Sequence, residues 1–191
     1  FALDGNAILF TTERYGMRAH ASWGSLNDAM LVFLNQDAYD KYCLSKEDYE
    51  LRKELEKEQK KSAGKDTPQG KNKDKKKKYD KKDSNADEKD DQPKDIVVEL
   101  KGIEDRVVRL TPNSSDMGST IISKDGETLY YLAAFEGGYD LWKMNLRKKE
   151  TKLLHKMDAG WADMQLDKDG KNLFLLGSRK MQKMDTSSDA L

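Results

Sequence analysis

The chain has 191 residues, of which 37% are charged and 36% are hydrophobic. That hydrophobic share is low for a compact core, so part of the chain must remain unpacked. The 35 basic and 35 acidic residues give a net charge of zero, which excludes a bulk electrostatic preference for nucleic acid, anionic membranes or acidic substrates. No apolar run approaches membrane-spanning length, so no membrane span is predicted.

A short frame at the N-terminus recurs twice along the chain. Asp4 and Gly5 precede an apolar run at residues 8–10, and Asp-Gly pairs at 125–126 and 169–170 precede apolar runs at 129–132 and 173–176. The last two copies lie 44 positions apart. Asp-Gly forms tight turns, because Gly adopts positive φ at no steric cost. The recurrence therefore predicts repeats of one strand-turn-strand unit.

The first repeat, over residues 1–44, carries a longer excursion, MRAHASWGSLND, in which His20 lies near Ser22 and Ser25. A Ser and a His two residues apart do not indicate hydrogen-bonding geometry, since the members of a catalytic triad are normally distant in sequence. His20 is therefore interpreted as a loop residue that packs near Trp23, and no catalytic residue is predicted.

Residues 45–94 form a charged insertion in this reading. The stretch SKEDYELRKELEKEQKK predicts a helix over about 45–62 with only a thin apolar stripe. Residues 63–94 contain almost no apolar side chain except Tyr79 and are predicted to be disordered. The lysines between Lys71 and Lys82 could contact phosphates, but interspersed aspartates partly cancel their charge, so no nucleic-acid partner is predicted.

The remaining part, residues 95–191, completes the first repeat and holds the following ones. Strands are predicted to resume at DIVVEL, and the runs at 129–132 and 173–176 are apolar on both faces, which predicts strands covered on both sides. A hairpin turn is expected at residues 136–138, followed by a strand whose Trp142, Met144 and Leu146 share one face. A further strand is expected at TKLLHK.

These features predict an all-β fold of β-propeller blades, each made of antiparallel strands. Propeller repeats are about 40 to 50 residues long, and this chain would supply about two and a half blades of an incomplete ring. A β-sandwich is the structural alternative.

The sequence predicts no catalytic, cofactor-binding or metal-binding residue. His155 is interpreted as an edge or surface residue, and Cys43 as a buried small residue rather than a nucleophile. The aromatic residues Tyr130, Tyr131, Trp142 and Trp161 could stack on a ligand, but they are interpreted as core between blades.

The segment DIVVELKGIEDRVVRLT, residues 95–111, resembles a DLxGIxxRVVxL signature in the propeller part of tricorn-like serine peptidases, relatives of the C-terminal-processing peptidases. The matching positions are Leu100, Gly102, Ile103, Arg106, Val107, Val108 and Leu110. The flanking segments resemble TolB-like blades. The resemblance covers nearly the whole chain except the charged insertion.

The resemblance implies a non-catalytic propeller segment that admits or positions peptide substrates and supports assembly, while a C-terminal peptidase core performs the proteolysis. No motif of that core occurs here, so no catalytic residue is carried over to this chain. The implied partners are a peptide or unfolded-protein substrate and the C-terminal peptidase domains of the same chain. A homo-oligomer is a further possibility. The implied compartment is the periplasm, with the cytoplasm as the alternative. Two other hypotheses are a stand-alone TolB-like propeller that binds proteins, and a lysine-rich insertion that docks on an anionic partner.

Overall fold

The computed structural model describes residues 1–18, 24–63 and 95–190. The chain divides into two compact units, residues 1–46 together with 96–191, and residues 47–95. Within the described residues, the first unit holds three antiparallel sheets that follow one another in sequence, which we name blades 1, 2 and 3. The all-β prediction with propeller-like blades is confirmed.

Blades 1 and 3 each contain three described strands, and blade 2 contains four, as follows. Blade 1 comprises β1 (Ala7–Thr12), β2 (Asp28–Phe33) and β3 (Val107–Arg109); blade 2 comprises β4 (Asp116–Ile122), β5 (Thr128–Ala134), β6 (Tyr139–Asn145) and β7 (Glu150–Ala159); blade 3 comprises β8 (Ala162–Leu166), β9 (Asn172–Gly177) and β10 (Lys180–Asp185). Two helices, α1 (Gln36–Cys43) and α2 (Lys46–Ala63), lie between β2 and β3 in sequence. The predicted turn at 136–138 and the strand containing TKLLHK are both present.

The sequence repeat is also a repeat of backbone hydrogen bonds. The turn glycines Gly5, Gly126 and Gly170 all have positive φ, at 84°, 73° and 74°. The hairpin that follows this turn is held by an equivalent bond in each blade, from the Leu34, Leu146 and Thr186 N–H groups to the carbonyls of Asn6, Glu127 and Lys171. The chain therefore folds the same hairpin three times.

Two apolar clusters hold the blades together. One joins blade 1 to blade 2 and includes Leu31, Phe33, Leu129, Tyr131 and Met144. The other joins blade 2 to blade 3 and includes Tyr130, Leu132, Leu141, Leu173, Leu175 and Met184. Strand β5 contributes alternate residues to the two clusters, which explains why its sequence is apolar on both faces. Trp142 packs on the first cluster beside Met144 and Leu146, as predicted.

Strand β9 does not match its prediction. Leu173 and Leu175 are buried, but Phe174 and Leu176 are 37% and 38% exposed. The physical reason is that β5 lies between two other blades, whereas within the described residues only blade 2 covers β9. Trp161 is also 61% exposed, so the prediction that it lies in the core between blades is wrong.

The strand predicted at DIVVEL is not formed. Residues 95–100 have no strand, and β3 begins only at Val107. In this segment the Glu99 N–H donates to the Leu34 carbonyl at 2.8 Å, while the Glu99 carbonyl accepts from the Arg106 guanidinium. The Arg106 side chain thus binds a backbone carbonyl that a neighbouring strand would otherwise bind. Residues 95–100 therefore form no β-ladder, although their sequence is rich in β-branched residues.

Helix α2 confirms the predicted helix. Its apolar Leu51 and Leu55 are exposed, and Arg52 pairs with Glu56 at 3.3 Å one turn later. Helix α1 was not predicted. It begins after Asn35, whose side-chain oxygen accepts from the Ala38 N–H at 2.9 Å, a standard N-cap. The residues predicted to be disordered, 63–94, lie outside the described part from residue 64 onward.

Candidate binding cleft

The residues weighed as catalytic candidates are not brought together in the described part of the chain. His20, Ser22 and Trp23 lie outside the described residues. His155 lies on the edge strand β7, opposite Leu141 of β6, as expected of an edge residue. Cys43 is exposed at the end of α1, so its predicted burial is wrong. A hydrogen bond with Cys43 raises the pKa of Tyr39.

A buried carboxylate fixes the return of the chain into blade 1. Asp28 is fully buried, and its Oδ1 accepts from Arg109 Nη2 at 2.8 Å and from Thr111 Oγ1 at 3.0 Å. Its Oδ2 accepts from Ser114 Oγ at 2.8 Å. Both carboxylate oxygens are thus hydrogen-bonded, which is what a charge this deeply buried requires. These donors come from 81 to 86 residues further along the chain, so Asp28 holds β3 and the following turn onto β2.

A second buried ion holds the segment before β3. Arg106 is 3% exposed and donates to the carbonyls of Phe33 at 3.3 Å, Lys101 at 3.1 Å and Glu99. Gly102, at φ 71°, makes the left-handed turn that leads into the 3₁₀ helix carrying Arg106. The guanidinium therefore ties residues 99–101 to the end of β2.

A third arginine joins α1 to blade 2. Arg147 Nη1 donates to the Tyr42 carbonyl at 2.6 Å and to the Leu44 carbonyl at 3.2 Å, and Nη2 donates to the Lys41 carbonyl at 3.1 Å. These carbonyls belong to the C-terminal end of α1, where backbone acceptors lack partners within the helix and cations are favoured. Its guanidinium also lies 5.8 Å from the centre of the Tyr42 ring.

Beside this contact lies a cleft of about 450 Å³, which we name the α1 cleft. Its lining comprises Tyr42, Cys43, Leu44, Val108, Arg109, Leu110, Thr111, Pro112, Met144, Leu146, Arg147 and Lys149. Leu110, Met144 and Leu146 are buried and form an apolar floor, whereas Arg109, Arg147 and Lys149 place positive charge at the margin. Burial raises the pKa of Tyr42, so its phenol is neutral here.

The α1 cleft is a candidate binding site. An apolar floor with a few polar groups at the margin is typical of ligand clefts. Across residues 1–18, 24–63 and 95–190 no group of three His, Cys, Asp or Glu side chains could hold a metal ion. In those same ranges no helix has the length and apolar character needed to cross a membrane.

The α1 cleft was not predicted from the sequence, because helix α1 was not predicted and because Arg147, which joins α1 to blade 2, binds backbone carbonyls. A carbonyl acceptor can belong to any residue and leaves no signal in the sequence. The Asn35-Gln36-Asp37 start, an N-cap followed by an acidic first turn, was the one signal for α1.

Comparisons with known proteins give distant similarity at the level of solved structures. A scan against models of protein families finds no match, and a search of curated proteins finds no significant relative. Among solved structures, the chain is similar to TolB from Acinetobacter baumannii, with a TM-score of 0.39 and 17% sequence identity. The match covers 44% of this chain and 22% of the TolB chain.

Proposed function

We propose that this chain is a non-catalytic β-propeller segment of a tricorn-like serine peptidase. In this role it admits or positions peptide substrates and supports assembly, and a separate peptidase core cuts the peptide. The proposal is carried by the segment Leu100 to Leu110, which resembles the family signature.

The positions that carry the resemblance have definite physical roles in this chain. Gly102 occupies a left-handed conformation, Arg106 is buried on three carbonyls, and Leu110 is 3% exposed in the cluster between blades 1 and 2. Each role is specific to the residue type, since an L side chain is strained at φ 71° and a lysine cannot span three acceptors. The residues that resemble the family signature are therefore residues that stabilise blade 1, which supports an architecture shared with the propeller of that family.

The α1 cleft supports the part of the proposal that concerns peptides. A chain that positions substrates without cutting them needs an apolar cleft that recognises polypeptide and no nucleophile beside a base. Within the described residues, the α1 cleft offers Cys43 as its only thiol, and the single described histidine, His155, is not among the residues that line it.

We further propose the domain boundaries and the compartment of this protein. We place a first blade at residues 1–44, a charged insertion at 45–94 and the following blades at 95–191. We also place the protein in the periplasm, as the resemblance implies.

The test compares this chain with the complete product of its gene. Purified residues 1–191 should neither hydrolyse a fluorescent casein substrate nor react with a fluorophosphonate probe of serine nucleophiles. The complete gene product should do both, and a serine-to-alanine variant of the labelled residue should do neither. Probe labelling of residues 1–191, or turnover that disappears in His20→Ala, would refute the non-catalytic role.

A complete gene product without labelling or hydrolysis would refute the peptidase assignment. The stand-alone protein-binding propeller would then be the surviving function. Peptide binding tests the cleft separately: a fluorescein-labelled peptide with a free carboxylate should bind residues 1–191, and Lys149→Glu, at an exposed position of the cleft lining, should weaken that binding. Lys148→Glu, at the neighbouring exposed lysine outside the lining, is the matched control.

A further inference from the structure

Two of the Asp-Gly turns, one in blade 2 and one in blade 3, share the same backbone structure. Gly126 and Gly170 have φ of 73° and 74°, and each glycine N–H donates to the carbonyl three residues earlier, at 2.9 Å and 3.0 Å. Both aspartates, Asp125 and Asp169, are exposed. The turn of blade 1 differs, because Asp4 itself lies in the left-handed region at φ 53°. The first two turns therefore form a matched pair that differs in its side chains.

The carboxylate of Asp125 is held by two donors. Its Oδ1 accepts from Ser123 Oγ and from the Glu127 N–H, the latter at 3.0 Å. The Ser123 hydroxyl is itself fixed, because it accepts from the Thr128 N–H at 3.0 Å. Hydrogen bonds to a charged acceptor are among the strong ones in proteins. The Asp125 carboxyl carbon therefore cannot turn onto the Gly126 nitrogen while both bonds last.

The carboxylate of Asp169 has neither donor. The residue equivalent to Ser123 is Asp167, 44 positions later, which has no hydroxyl to donate. Asp167 also takes the counterpart of the second donor, since the Lys171 N–H donates to Asp167 Oδ1 at 2.7 Å. A hydrogen bond from Asn172 lowers the pKa of Asp167, which keeps this side chain a charged acceptor. In the described part of the chain, no hydrogen bond reaches the Asp169 carboxylate.

We propose that Asp169 is a site of spontaneous isomerisation to isoaspartate, whereas Asp125 is protected. The Gly170 backbone nitrogen attacks the Asp169 carboxyl carbon, gives up its proton and expels one carboxyl oxygen as water, which closes a succinimide ring. Glycine has no Cβ to hinder this approach. Water then adds at the backbone carbonyl of Asp169 and breaks its bond to the nitrogen, so that carbonyl becomes a free carboxylate and the chain continues through the side chain. One water is lost and one is regained, and no other reactant is needed.

The modification falls where blade 3 contacts blade 2. A Cβ at Gly170 would lie only 3.1 Å from Lys124 Cβ, and Lys124 Nζ donates to the Lys168 carbonyl at 3.4 Å. Isoaspartate adds one carbon to the backbone at this contact. The proposal is independent of the peptidase assignment, because it rests on the turn alone.

Peptide mapping of residues 1–191 after several weeks at neutral pH tests the proposal. Electron-transfer dissociation distinguishes isoaspartate from aspartate at each turn of the same chain. Isoaspartate should form at Asp169 at least about tenfold faster than at Asp125, since breaking one hydrogen bond to a charged group costs about a factor of ten or more. Equal rates at the two aspartates, faster formation at Asp125, or no isoaspartate at either would overturn the proposal.

Exchange of one residue between the two turns is the matched control. Asp167→Ser should slow isomerisation at Asp169, because it supplies the missing hydroxyl. Ser123→Asp should speed isomerisation at Asp125, because it removes that hydroxyl. Rates that stay with the blade in both variants also overturn the proposal, since local opening of blade 3, rather than the side chains of its turn, would then set the rate.

Discussion

Leu132 and Leu176 occupy equivalent positions in successive blades, and this makes them a matched pair for mutation. Both are leucines on the second strand of a blade, 44 residues apart, and both lie on the sheet face that points away from the preceding blade. Leu132 is fully buried against blade 3, whereas Leu176 is 38% exposed. Replacing each with Ala removes the same atoms from two environments that differ in whether another blade covers them.

The expected losses of stability differ by about 2 kcal/mol. Leu-to-Ala changes in a core cost about 2–5 kcal/mol, since a cavity adds to the lost transfer free energy. We expect about 3 kcal/mol for Leu132→Ala. At Leu176 water reaches the vacated space, so no closed cavity forms and the loss is about 1 kcal/mol, the transfer free energy of the part that is buried.

Urea unfolding at pH 7, followed by circular dichroism, measures both changes as shifts in midpoint at a common slope. A further pair, Leu129→Ala and Leu173→Ala, serves as the control, because both residues are fully buried and should lose similar stability. Equal losses for Leu132→Ala and Leu176→Ala, or a larger loss at Leu176, would refute the blade stacking described here.

Three other substitutions test separate contacts. Arg106→Lys keeps the charge but loses most of the three carbonyl contacts, so the free energy of unfolding should fall by about 2–4 kcal/mol and amide exchange at residues 99–101 should become faster. Unchanged exchange would contradict the role of Arg106 in holding residues 99–101. Burial raises the pKa of Tyr130 to about 12, above its usual 10.0, so its stabilisation is full below pH 10 and is lost as pH rises towards 12. Tyr130→Phe should therefore lessen the fall in urea midpoint between pH 9 and pH 11; an unaltered profile would contradict this. Desolvation opposes ionisation of Asp189, but hydrogen bonds from Lys143 and Lys152 outweigh it and lower its pKa. Asp189→Asn should therefore lower the free energy of unfolding by about 1 kcal/mol at pH 7. This loss should vanish as pH falls below the ordinary aspartate pKa of about 3.9 and through the lower pKa of the folded state. A loss that does not depend on pH would contradict the ion pair.

The repeat was predictable because its signal is local. Asp-Gly followed by an apolar run specifies a turn and a strand within eight residues, and three copies predict three similar hairpins. The apolar pattern of 129–132 likewise predicted a strand covered on both faces. The same reasoning failed at 173–176, because a strand's pattern shows which faces suit burial but not whether a neighbour covers them.

The candidate cleft was not predictable, because it depends on contacts between distant residues. Arg147 in its lining binds backbone carbonyls of α1, and the bond from Arg147 Nη1 to the Tyr42 carbonyl spans 105 residues. Residues 95–100 have a strand-like composition, yet the contact of the Arg106 guanidinium with the Glu99 carbonyl decides their conformation. Helix α1 has only eight residues, which is too short for its apolar face of Ala38, Tyr39 and Tyr42 to stand out as a helical period in the sequence.

Disulfide formation between Ser119→Cys and Asp163→Cys, in a Cys43→Ser background, tests most directly whether the blades stack in repeat register. These side chains lie on β4 and β8, 44 residues apart, and hydrogen-bond to each other. Stacked blades predict that this pair oxidises readily, whereas the out-of-register pair Ser119→Cys and Gln165→Cys does not. If neither pair forms a disulfide, or both form equally well, the stacking of successive blades is contradicted.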